Sequence, residues 1–254
     1  MSDSWLASTY GERFAPVYDD WYGDEDVTPI VDTLADLAAG GPVLELGAGT
    51  GRLAIPLAQR GLDVDALDAS EAMLARLRTK PGADRIRRVI AADMGDVGHH
   101  VEPGSYGVVV VAANTLFLLD TGDAQARCVA GAALALRPGG RLVVEAFVPD
   151  LERLAAPAAD TVTVRSVEPD RVVLFATKSD VDRQTIDTAI VELTDGAPGV
   201  RVFPARLRWS TSAELDAIAA SAGLTLEARW SDWDRKPCDE SADTHVSVWR
   251  ASVG

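Results

Sequence analysis

The sequence predicts an α/β fold in which a doubly wound, mainly parallel sheet carries an antiparallel β insertion. Between residues 27 and 148, short apolar segments alternate with helix-like segments, which is the pattern of repeated βαβ units. After Pro149 this alternation stops, and four strand-like segments of alternating polarity follow one another across turn residues. The length of 254 residues is typical of one large domain with an insertion.

The first part of the chain predicts alternating helices and strands. Thr28 as N-cap and Pro29 as first helical residue open a helix that ends at the glycines of positions 40 and 41. Five apolar segments are predicted as strands: residues 42–46, 62–67, 88–92, 107–113 and 141–147. Ser70 caps a helix after the second strand, and a helix over residues 124–136 ends at a turn over residues 137–140. The fourth strand is nearly all valine and alanine, which predicts burial on both faces.

The second part predicts an antiparallel sheet and then a return to the first sheet. Four successive strands are expected over residues 161–167, 171–177, 185–193 and 200–209. Thr211 and Glu214 have capping-box spacing, which predicts a helix that ends near Gly223. Two final strands over residues 224–230 and 244–251 complete a main sheet of seven strands.

The charge balance and the cysteines exclude several classes of partner. With 39 acidic and 24 basic residues, the formal net charge is −15, which opposes binding to nucleic acid or to an anionic membrane. Cys128 and Cys238 are far apart and lack metal-ligand spacing, so that neither a metal site nor a disulfide is expected. The longest apolar stretch, residues 108–119, is too short to span a bilayer, and the first residues lack a signal-peptide pattern. We expect a cytoplasmic protein that binds neither nucleic acid nor membrane.

A glycine-rich loop after the first strand predicts a ligand site. Gly47, Gly49 and Gly51 lie between this strand and a helix, where the backbone can approach a ligand and helix N–H groups are unpaired. A dinucleotide fingerprint would have glycine at the position of Arg52, and a P-loop would continue with Gly-Lys-Ser/Thr. The loop fits neither of these motifs.

Three acidic residues accompany the loop. Glu45 precedes it, Asp68 follows the second strand, and Asp93 follows the third strand. A carboxylate after the second strand can bind ribose hydroxyls, as in dinucleotide-binding folds, and one after the third can meet an adenine amine. The three acids predict a nucleoside with few or no phosphates, and a pocket lined with carboxylates favours a cationic ligand.

The segments in this order resemble the motifs of class I S-adenosylmethionine-dependent methyltransferases, which have a Rossmann-like fold. The resemblance covers residues 27–148 together with the final helix and strands. It is carried by the glycine loop, the ribose-binding acid, the adenine-binding segment and the turn into strand five: residues 45–51, 67–70, 92–94 and 136–142. It implies S-adenosyl-L-methionine as cofactor, S-adenosyl-L-homocysteine as product, and no metal.

The resemblance also implies a set of cofactor-binding residues near these motifs. In chain order they are Glu45, Gly47, Ala48, Gly49, Arg52, Asp68, Ala69, Met73, Asp93, Met94 and Asn114. The glycine loop would face the methionyl part, Asp68 the ribose, and Asp93 the adenine amine. Met73 and Met94 would flank the adenine, although Met73 fits a core position on its helix equally well. Arg52 either pairs with the cofactor carboxylate or is a solvated helix residue.

The N-terminal segment concentrates aromatic side chains. Six of the fifteen aromatic residues fall within the first 22 positions: Trp5, Tyr10, Phe14, Tyr18, Trp21 and Tyr22. Thr9 and Glu12 have capping-box spacing, and Pro16 is expected to divide the helix that would align three of the aromatic residues. The helix either packs on the core or forms an aromatic lid over cofactor and substrate. The segment resembles that of small-molecule methyltransferases whose tyrosine hydroxyls, here Tyr18 and Tyr22, meet the cofactor carboxylate.

The predicted organisation has three parts. Residues 1–26 form the lid segment, residues 27–150 and 210–254 the cofactor-binding core, and residues 151–209 the insertion. The insertion resembles that of bacterial aminosugar N,N-dimethyltransferases and related natural-product N-methyltransferases. There it bounds the substrate pocket or mediates subunit contact, so a homo-oligomer through the insertion is one expectation.

These observations predict an enzyme of secondary metabolism that methylates an amine nitrogen of a small molecule by in-line displacement. The end of strand four lacks the Asn/Asp-Pro-Pro-aromatic motif of DNA amino-methyltransferases. The resemblance places Phe117 as a wall beside the sulfonium and Asn114 as a polar contact near it. A small-molecule O-methyltransferase, an NAD-dependent oxidoreductase and a non-catalytic binding protein are the alternatives.

The expected catalytic residues are few, because displacement at a methyl carbon needs no enzyme nucleophile. Tyr10, Phe117 and Glu145 form the expected set, with Tyr10 and Glu145 as candidate bases. His245, on the last predicted strand, and a water molecule are further candidates for the base. An amine would need no base, whereas a hydroxyl would need one.

Overall fold

The computed structural model describes residues 6–156, 160–196, 199–239 and 241–253, so that Trp5 of the predicted lid lies outside the described residues. Its α-helices are α1 (Thr9–Phe14), α2 (Tyr18–Tyr22), α3 (Thr28–Ala38), α4 (Ala54–Gln59), α5 (Glu71–Thr79), α6 (Gly122–Ala135), α7 (Leu151–Ala155) and α8 (Ser212–Ser221). The strands are β1 (Val43–Leu46), β2 (Val64–Asp68), β3 (Arg88–Ala91), β4 (Tyr106–Val111), β5 (Leu136–Phe147), β6 (Thr161–Glu168), β7 (Arg171–Asp180), β8 (Thr185–Thr194), β9 (Val200–Arg208), β10 (Leu224–Trp230) and β11 (Thr244–Ala251). Short 3₁₀ helices cover Ala83–Arg85, Met94–His99 and Thr115–Leu118. None of the described helices is long and apolar enough to cross a membrane.

The main sheet has seven strands in the order β10-β11-β5-β4-β1-β2-β3. Strands β1 to β5 pair in parallel, whereas β11 pairs antiparallel with both β5 and β10. Successive residues of β4 enter different apolar clusters, Val108 and Val110 on one face and Val109 and Val111 on the other. Helices therefore cover both faces of the sheet, and the predicted Rossmann-like fold with an antiparallel insertion is confirmed.

The parallel strands bring the predicted motifs to one edge of the main sheet. The glycine loop follows β1, Asp68 ends β2, Asp93 follows β3, and Ala113 and Asn114 follow β4. Because these strands run in the same direction, their carboxyl ends meet at the same edge, which is where doubly wound folds bind ligands.

The insertion is a second sheet of four antiparallel strands in the order β6-β7-β8-β9. One of its faces packs on the N-terminal helices. The ring of Phe203 on β9 lies 5.6 Å from that of Phe14 and 5.0 Å from that of Trp21, measured between centroids. This contact closes the insertion over the edge of the main sheet that carries the motifs.

Two element boundaries differ from the predictions. Val27, not Thr28, is the N-cap of α3, because Thr28 is already helical and its N–H donates to Asp26 Oδ1. Strand β5 begins at Leu136, directly after α6, so residues 137–140 extend the strand instead of forming a turn. Gly139 has a φ of +74°, and the register with β4 shifts here, as at a β-bulge that keeps both ends of a segment paired.

The predicted capping box at the start of α1 is wrong. Ser8 is the N-cap, and no side chain caps the helix. The Glu12 carboxylate instead accepts a hydrogen bond from the Ser70 hydroxyl at 2.9 Å and one from the Ala72 N–H at 3.3 Å. Glu12 therefore binds Ser70, 58 residues away in the chain, and not the start of its own helix.

The other local signals are confirmed. Pro16 lies between α1 and α2 and divides the aromatic helix. Ser70 caps α5 through the Met73 N–H, and Thr211 with Glu214 forms a complete capping box at α8.

Candidate active site

The glycine loop joins β1 to α4 with a backbone that side chains would obstruct. Gly47, Gly49 and Gly51 have φ of +75°, +55° and +86°, in the left-handed region that favours glycine. A Cβ atom on Gly47 would lie 2.2 Å from Cγ2 of Thr115, whereas one on Gly49 would meet open space. The loop therefore packs closely against the segment after β4 and leaves a hollow at Gly49.

Asp68 holds this loop in place. Its Oδ2 accepts a hydrogen bond from the Gly49 N–H and its Oδ1 one from the Ser70 N–H, both at 2.8 Å. Burial raises the pKa of Asp68 above its ordinary value. A carboxylate offers about four lone-pair sites, so two of them stay available towards the space in front of the loop.

The N-terminal helices lie over the loop and are tied to it. The Thr50 hydroxyl donates to Asp19 Oδ1 at 2.6 Å, and Lys80 Nζ donates to the same oxygen at 2.7 Å. Gly11 approaches α5 so closely that a Cβ atom there would lie 2.3 Å from Cβ of Ser70. The segment after Leu6 thus forms a roof over the loop.

A cavity of about 440 Å³ lies beneath this roof, between the loop and the insertion. Its volume is within the range of small-molecule sites. Twelve residues predicted from the sequence line it: Tyr10, Tyr18, Tyr22, Gly47, Gly49, Arg52, Asp68, Ala69, Met73, Asp93, Met94 and Asn114. Those around the ends of β1, β2 and β3 form what we term the loop half of the cavity. Four other predicted residues do not line it: Glu45, Ala48, Phe117 and Glu145.

The insertion supplies the opposite wall, which we term the insertion half. It consists of five residues from β7, β8 and β9: Phe175, Thr188, Ile190, Ala205 and Leu207. The sequence does not single out these five residues. Both faces of these strands carry apolar side chains, so the pattern does not indicate which face turns towards the cavity.

Arg52 lies at the end of the loop half and is neither solvated nor free. Its Nη1 donates to the Glu25 carboxylate at 2.9 Å, and both Arg52 and Tyr18 line the cavity. Only 15% of its side chain is exposed. A cofactor carboxylate at this position would share Arg52 with Glu25 or displace it.

The two methionines and Asp93 form the far end of the loop half. Met73 is fully buried and packs in a cluster with Phe14, so it serves both as core and as cavity wall. Met94 is also buried and lines the cavity. Asp93 caps the following 3₁₀ helix, because its Oδ1 accepts a hydrogen bond from the Gly95 N–H at 2.8 Å.

Comparison with known proteins gives one consistent result. The profile of a methyltransferase-domain family matches residues 43–140. The cypemycin N-terminal methyltransferase of a Streptomyces species is 32% identical over 187 residues, 74% of each chain. The CcbJ methyltransferase from Streptomyces caelestis has a TM-score of 0.87 at 38% identity and covers 98% of this chain, with 100% of its own chain matched. A sugar N-methyltransferase from Streptoalloteichus shares the fold, with a TM-score of 0.70 at 20% identity over 99% of this chain and 96% of its own.

The chain belongs to the class I S-adenosylmethionine-dependent methyltransferases. Within this methyltransferase, the loop half fits S-adenosylmethionine on its own geometry. The absence of a side chain at Gly49 leaves room for a ligand beside the loop. Asp68 keeps lone pairs for ligand hydroxyl groups, and the buried methionines Met73 and Met94 offer apolar contacts. Among the described residues, no group of three or more His, Cys, Asp or Glu is arranged to hold a metal ion.

Glu45 lies behind the loop of the methyltransferase and not on the cavity wall. Burial raises the pKa of Glu45 to about 8, and its Oε2 has no hydrogen-bond partner. At neutral pH the group is therefore mainly a neutral acid, which corrects the expectation of a carboxylate lining the pocket. Ala48 is buried beside it, with its N–H donating to the carbonyl of Leu67.

Glu145 supports the cavity from behind. Its Oε2 accepts a hydrogen bond from the Ala113 N–H and its Oε1 one from Trp233 Nε1, both at 2.7 Å. Ala113 and Asn114 have φ of +52° and +63°, an unusual pair of left-handed residues, and both line the cavity. Because Glu145 does not line the cavity and its oxygens bind Ala113 and Trp233 behind the wall, the geometry does not support Glu145 as a base.

Phe117 and His245 belong to the interior of the methyltransferase. Phe117 is fully buried, and its ring packs against Phe147 at 5.1 Å between centroids, so it is a core residue instead of a cavity wall. His245 is fully buried on β11, where Nδ1 contacts the Ser247 hydroxyl at 2.9 Å. Burial lowers the pKa of His245 to about 4, and the residue does not line the cavity.

Tyr10 is the one predicted catalytic residue that faces the cavity. Its ring stacks on Phe14 with centroids 4.3 Å apart. Burial raises the pKa of Tyr10 well above its ordinary value, so that the phenol keeps its proton near neutral pH. Its oxygen can accept or donate a hydrogen bond, but it is not a base at that pH.

Proposed function

We propose that this methyltransferase transfers a methyl group to an amine nitrogen of a small molecule. One observation carries the proposal: the carboxylates among the described residues that line the cavity, Glu25, Asp68 and Asp93, all lie in the loop half, and the insertion half, which would hold the acceptor, has no carboxylate to act as a base. Asp68 binds two backbone N–H groups, and Glu25 is paired with Arg52. Tyr10 is a protonated phenol. An acceptor with its own lone pair, such as a neutral amine, needs no such base.

When bound, S-adenosylmethionine supplies an electrophilic methyl carbon, so that the C–N bond forms as the C–S bond breaks, its electron pair stays on sulfur, and the product ammonium loses its proton to solvent. The protein contributes the alignment of the two reactants and the exclusion of water. Holding the two reactants in line is worth up to about 7–11 kcal/mol of the barrier. The roof over the loop and the apolar insertion half exclude water, which leaves the lone pair of the amine unsolvated.

We assign the cofactor contacts as part of the same proposal. Asp68 binds the ribose hydroxyls through its remaining lone pairs, and Asp93 accepts the adenine amine through the oxygen that Gly95 does not use. Arg52 binds the methionyl carboxylate, since it already pairs with a carboxylate, that of Glu25, and Tyr18, which lines the cavity beside it, adds its hydroxyl. Residues 6–26 act as the roof, and strands β7, β8 and β9 supply the acceptor wall.

The nature of the relatives supports nitrogen as the acceptor atom. The protein named cypemycin N-terminal methyltransferase, which shares 32% identity with this chain, is named for methylation at the N-terminal end of cypemycin. This relative and the CcbJ methyltransferase come from Streptomyces. An acceptor from natural-product biosynthesis is therefore part of the proposal.

The test is a competition between acceptor classes. The purified protein would be incubated with S-adenosylmethionine and separate sets of secondary amines, phenols and sugar alcohols. We expect S-adenosylhomocysteine and an N-methylated product, identified by mass spectrometry, with the amines only. Methylation restricted to hydroxyl groups would overturn the proposal and favour an O-methyltransferase. Binding of NAD without binding of S-adenosylmethionine in calorimetry would contradict the cofactor assignment.

A further inference from the structure

The insertion half of the cavity is almost entirely apolar. Phe175, Ile190, Ala205 and Leu207 present hydrocarbon side chains, and Thr188 is the polar member of the five. The cross-strand register joins them into one patch, because Phe175 pairs with Ile190 and Thr188 pairs with Ala205. The Thr188 hydroxyl already contacts the carbonyl of Ala205, at 3.5 Å. A ligand against this wall meets hydrocarbon and at most one hydroxyl.

The charged groups of the described lining all lie away from this wall. Glu25 follows α2, Asp68 ends β2, and Asp93 follows β3, so the carboxylates belong to the loop half. Leu118 and Leu119, after β4, extend the apolar surface towards the insertion. The insertion half thus offers no described carboxylate that could pair with an ammonium group.

From these two observations we infer that the acceptor is an amine carried by an apolar body, such as a secondary amine in a saturated ring with an alkyl or aryl substituent. It binds as the free base. The inference rests on the proposed N-methylation and specifies its substrate class. It also distinguishes two classes of acceptor that are both compatible with N-methylation, apolar amines and polyhydroxylated aminosugars.

Desolvation decides between the two types. Each sugar hydroxyl that is buried without a hydrogen-bond partner costs about 1–3 kcal/mol, and this wall supplies one hydroxyl. An alkyl or aryl group gains free energy on the same surface, about 25 cal/mol for each Å² removed from water. An ammonium ion would be buried without a counter-charge, so the amine enters after losing its proton.

The experiment compares 4-phenylpiperidine with 3-amino-3-deoxyglucose. Binding of each to the protein saturated with S-adenosylhomocysteine is measured by calorimetry from pH 7 to pH 10, and methylation of each by mass spectrometry. We expect binding of the piperidine to be at least tenfold tighter and to strengthen as its amine loses its proton. Equal or tighter binding of the aminosugar, with N-methylation of it, would overturn this inference while N-methylation itself stands. Methylation of neither amine alongside methylation of phenols would overturn N-methylation.

Two strand residues outside the proposed dimer contact provide matched variants. Ile190 on β8 lines the cavity, whereas Leu226 on β10 is 41% exposed and does not. We expect Ile190→Asn to remove most of the preference for 4-phenylpiperidine and Leu226→Asn to keep it. Since Ile190 is buried, Thr188→Val serves as a second variant that does not weaken packing, and we expect it to keep or increase the preference. A loss of preference in Thr188→Val would contradict an apolar acceptor.

The opposite face of the insertion carries a second, independent feature. The register aligns Val164, Leu174, Val191 and Val202 in one row across all four strands. The next row on one side is Val162, Ala176, Ala189 and Pro204, and the next row on the other side, beyond a bulge in β6, is Val167, Val172, Leu193 and Val200. Three rows of four apolar residues therefore lie on the side that does not face the cavity. Val164 and Val202 are 63% and 49% exposed. An antiparallel sheet with one solvated face would alternate with polar residues here.

We propose that a second copy of the chain covers this outer face. The three rows span about 20 Å along the strands and about 19 Å across them, from the usual strand spacings. Two copies would bury on the order of 1,000 Å² in total, the lower limit of a specific interface. The charged residues Lys178, Asp187 and Arg206 form a fourth row at one end only. A two-fold axis through the middle row keeps these charges outside the contact, whereas the net charge of −15 opposes an anionic membrane.

The oligomeric state tests this proposal. We expect light scattering after size exclusion to give a dimer for the full chain at micromolar concentration. We expect a monomer for Val164→Lys, and a dimer for the control Lys178→Ala at the charged end of the sheet. Both variants should retain binding of S-adenosylmethionine, which shows that they are folded. A monomeric full chain, or a dimer that persists in both Val164→Lys and Val202→Lys, would overturn the proposal.

Discussion

The two halves of the cavity are built in different ways, although they meet in one space. The loop half uses backbone N–H groups, positive-φ glycines and carboxylates at the ends of neighbouring parallel strands. The insertion half uses apolar side chains from antiparallel strands, which begin more than 60 residues after the end of β3. In our proposal, the polar groups of the loop half recognise the cofactor, which the family has in common, and the insertion half selects the acceptor by shape and hydrophobicity. A change in the side chains of the insertion half would then alter the acceptor and leave cofactor binding intact.

If this division holds, variants of the loop half should change cofactor binding far more than variants elsewhere. The largest effect is expected for Gly47→Ala. Its Cβ atom would lie 2.2 Å from Thr115 in a backbone with φ of +75°. Gly40→Ala is the matched control, since φ there is +74° but the added atom meets nothing within 4 Å. We expect calorimetry to show a loss of S-adenosylmethionine affinity of at least about 100-fold for Gly47→Ala and none for Gly40→Ala. Equal losses would mean that backbone strain, and not the packing of the loop, decides binding.

The second effect concerns the acid that holds the loop. Asp68→Ala removes a carboxylate that accepts hydrogen bonds from Gly49 and Ser70 and keeps lone pairs for the ligand. Hydrogen bonds to charged groups contribute about 1.5–3 kcal/mol, so we expect S-adenosylmethionine to bind about 10- to 150-fold more weakly. Asp63→Ala, an exposed acid just before the same strand, should leave the affinity unchanged. Unchanged binding in Asp68→Ala would show that the loop half does not hold the ribose at this acid.

The third prediction uses the buried acid behind the loop. Burial raises the pKa of Glu45 to about 8 in the folded chain, against about 4.5 when unfolded. Between these pH values the folded chain binds a proton that the unfolded chain has lost, so stability falls as pH rises from about 4.5 to about 8. We expect Glu45→Gln to remove this slope, with stability changing by about 2 kcal/mol less than in the unmodified chain between pH 6 and pH 8.

Urea denaturation at pH 6, 7 and 8 measures this difference. Glu102→Gln, an exposed acid, is the control and should keep the original slope. A slope that is the same in Glu45→Gln and in the control would mean that Glu45 is ionised in the folded chain. Glu45 would then add a fourth carboxylate charge to those of Glu25, Asp68 and Asp93.

The smallest effect on cofactor affinity is expected from the ion pair between Glu25 and Arg52. Glu25 occupies the arginine, but more than half of the Glu25 side chain is exposed, so the pair contributes at most about 1 kcal/mol. If the cofactor carboxylate displaces Glu25, Glu25→Gln should tighten binding of S-adenosylmethionine by up to about fivefold in calorimetry. Glu71→Gln, which breaks an exposed pair with Arg78, carries the same change of charge as a control. Weaker binding in Glu25→Gln would instead assign Glu25 to the ammonium group of the cofactor.

The same division explains how far the sequence could predict the molecule. The loop half is formed by short segments that each have a recognisable local pattern. Most of its residues on the cavity wall can therefore be predicted from the alternation of strands and helices and from Gly47, Asp68 and Asp93. Glu45 has the right position in the motif, but only the packing around it shows that it faces inwards and is neutral.

Long-range partners account for the remaining differences. The local spacing predicts a cap at Glu12, whereas its actual partner, Ser70, is 58 residues away in the chain. The sequence likewise gives no sign that Trp233, 88 residues from Glu145, donates a hydrogen bond to that carboxylate. In the insertion, both faces of the sheet carry apolar residues. No local pattern therefore distinguishes Ile190, which lines the cavity, from Val191, which lies on the outer face.

The contact between Phe14 and Phe203 has a consequence for biosynthesis on the ribosome. The two rings close the roof against the insertion, but they are 189 positions apart in the chain. At about 5–20 residues per second, the first ring is translated roughly 10–40 s before the second. During that interval the aromatic residues of the N-terminal segment have no wall to cover them, while the strands of the loop half are completed in between. The strands of the loop half are therefore translated before the strand that covers the N-terminal segment, so a product truncated before β9 would leave these aromatic side chains without that cover.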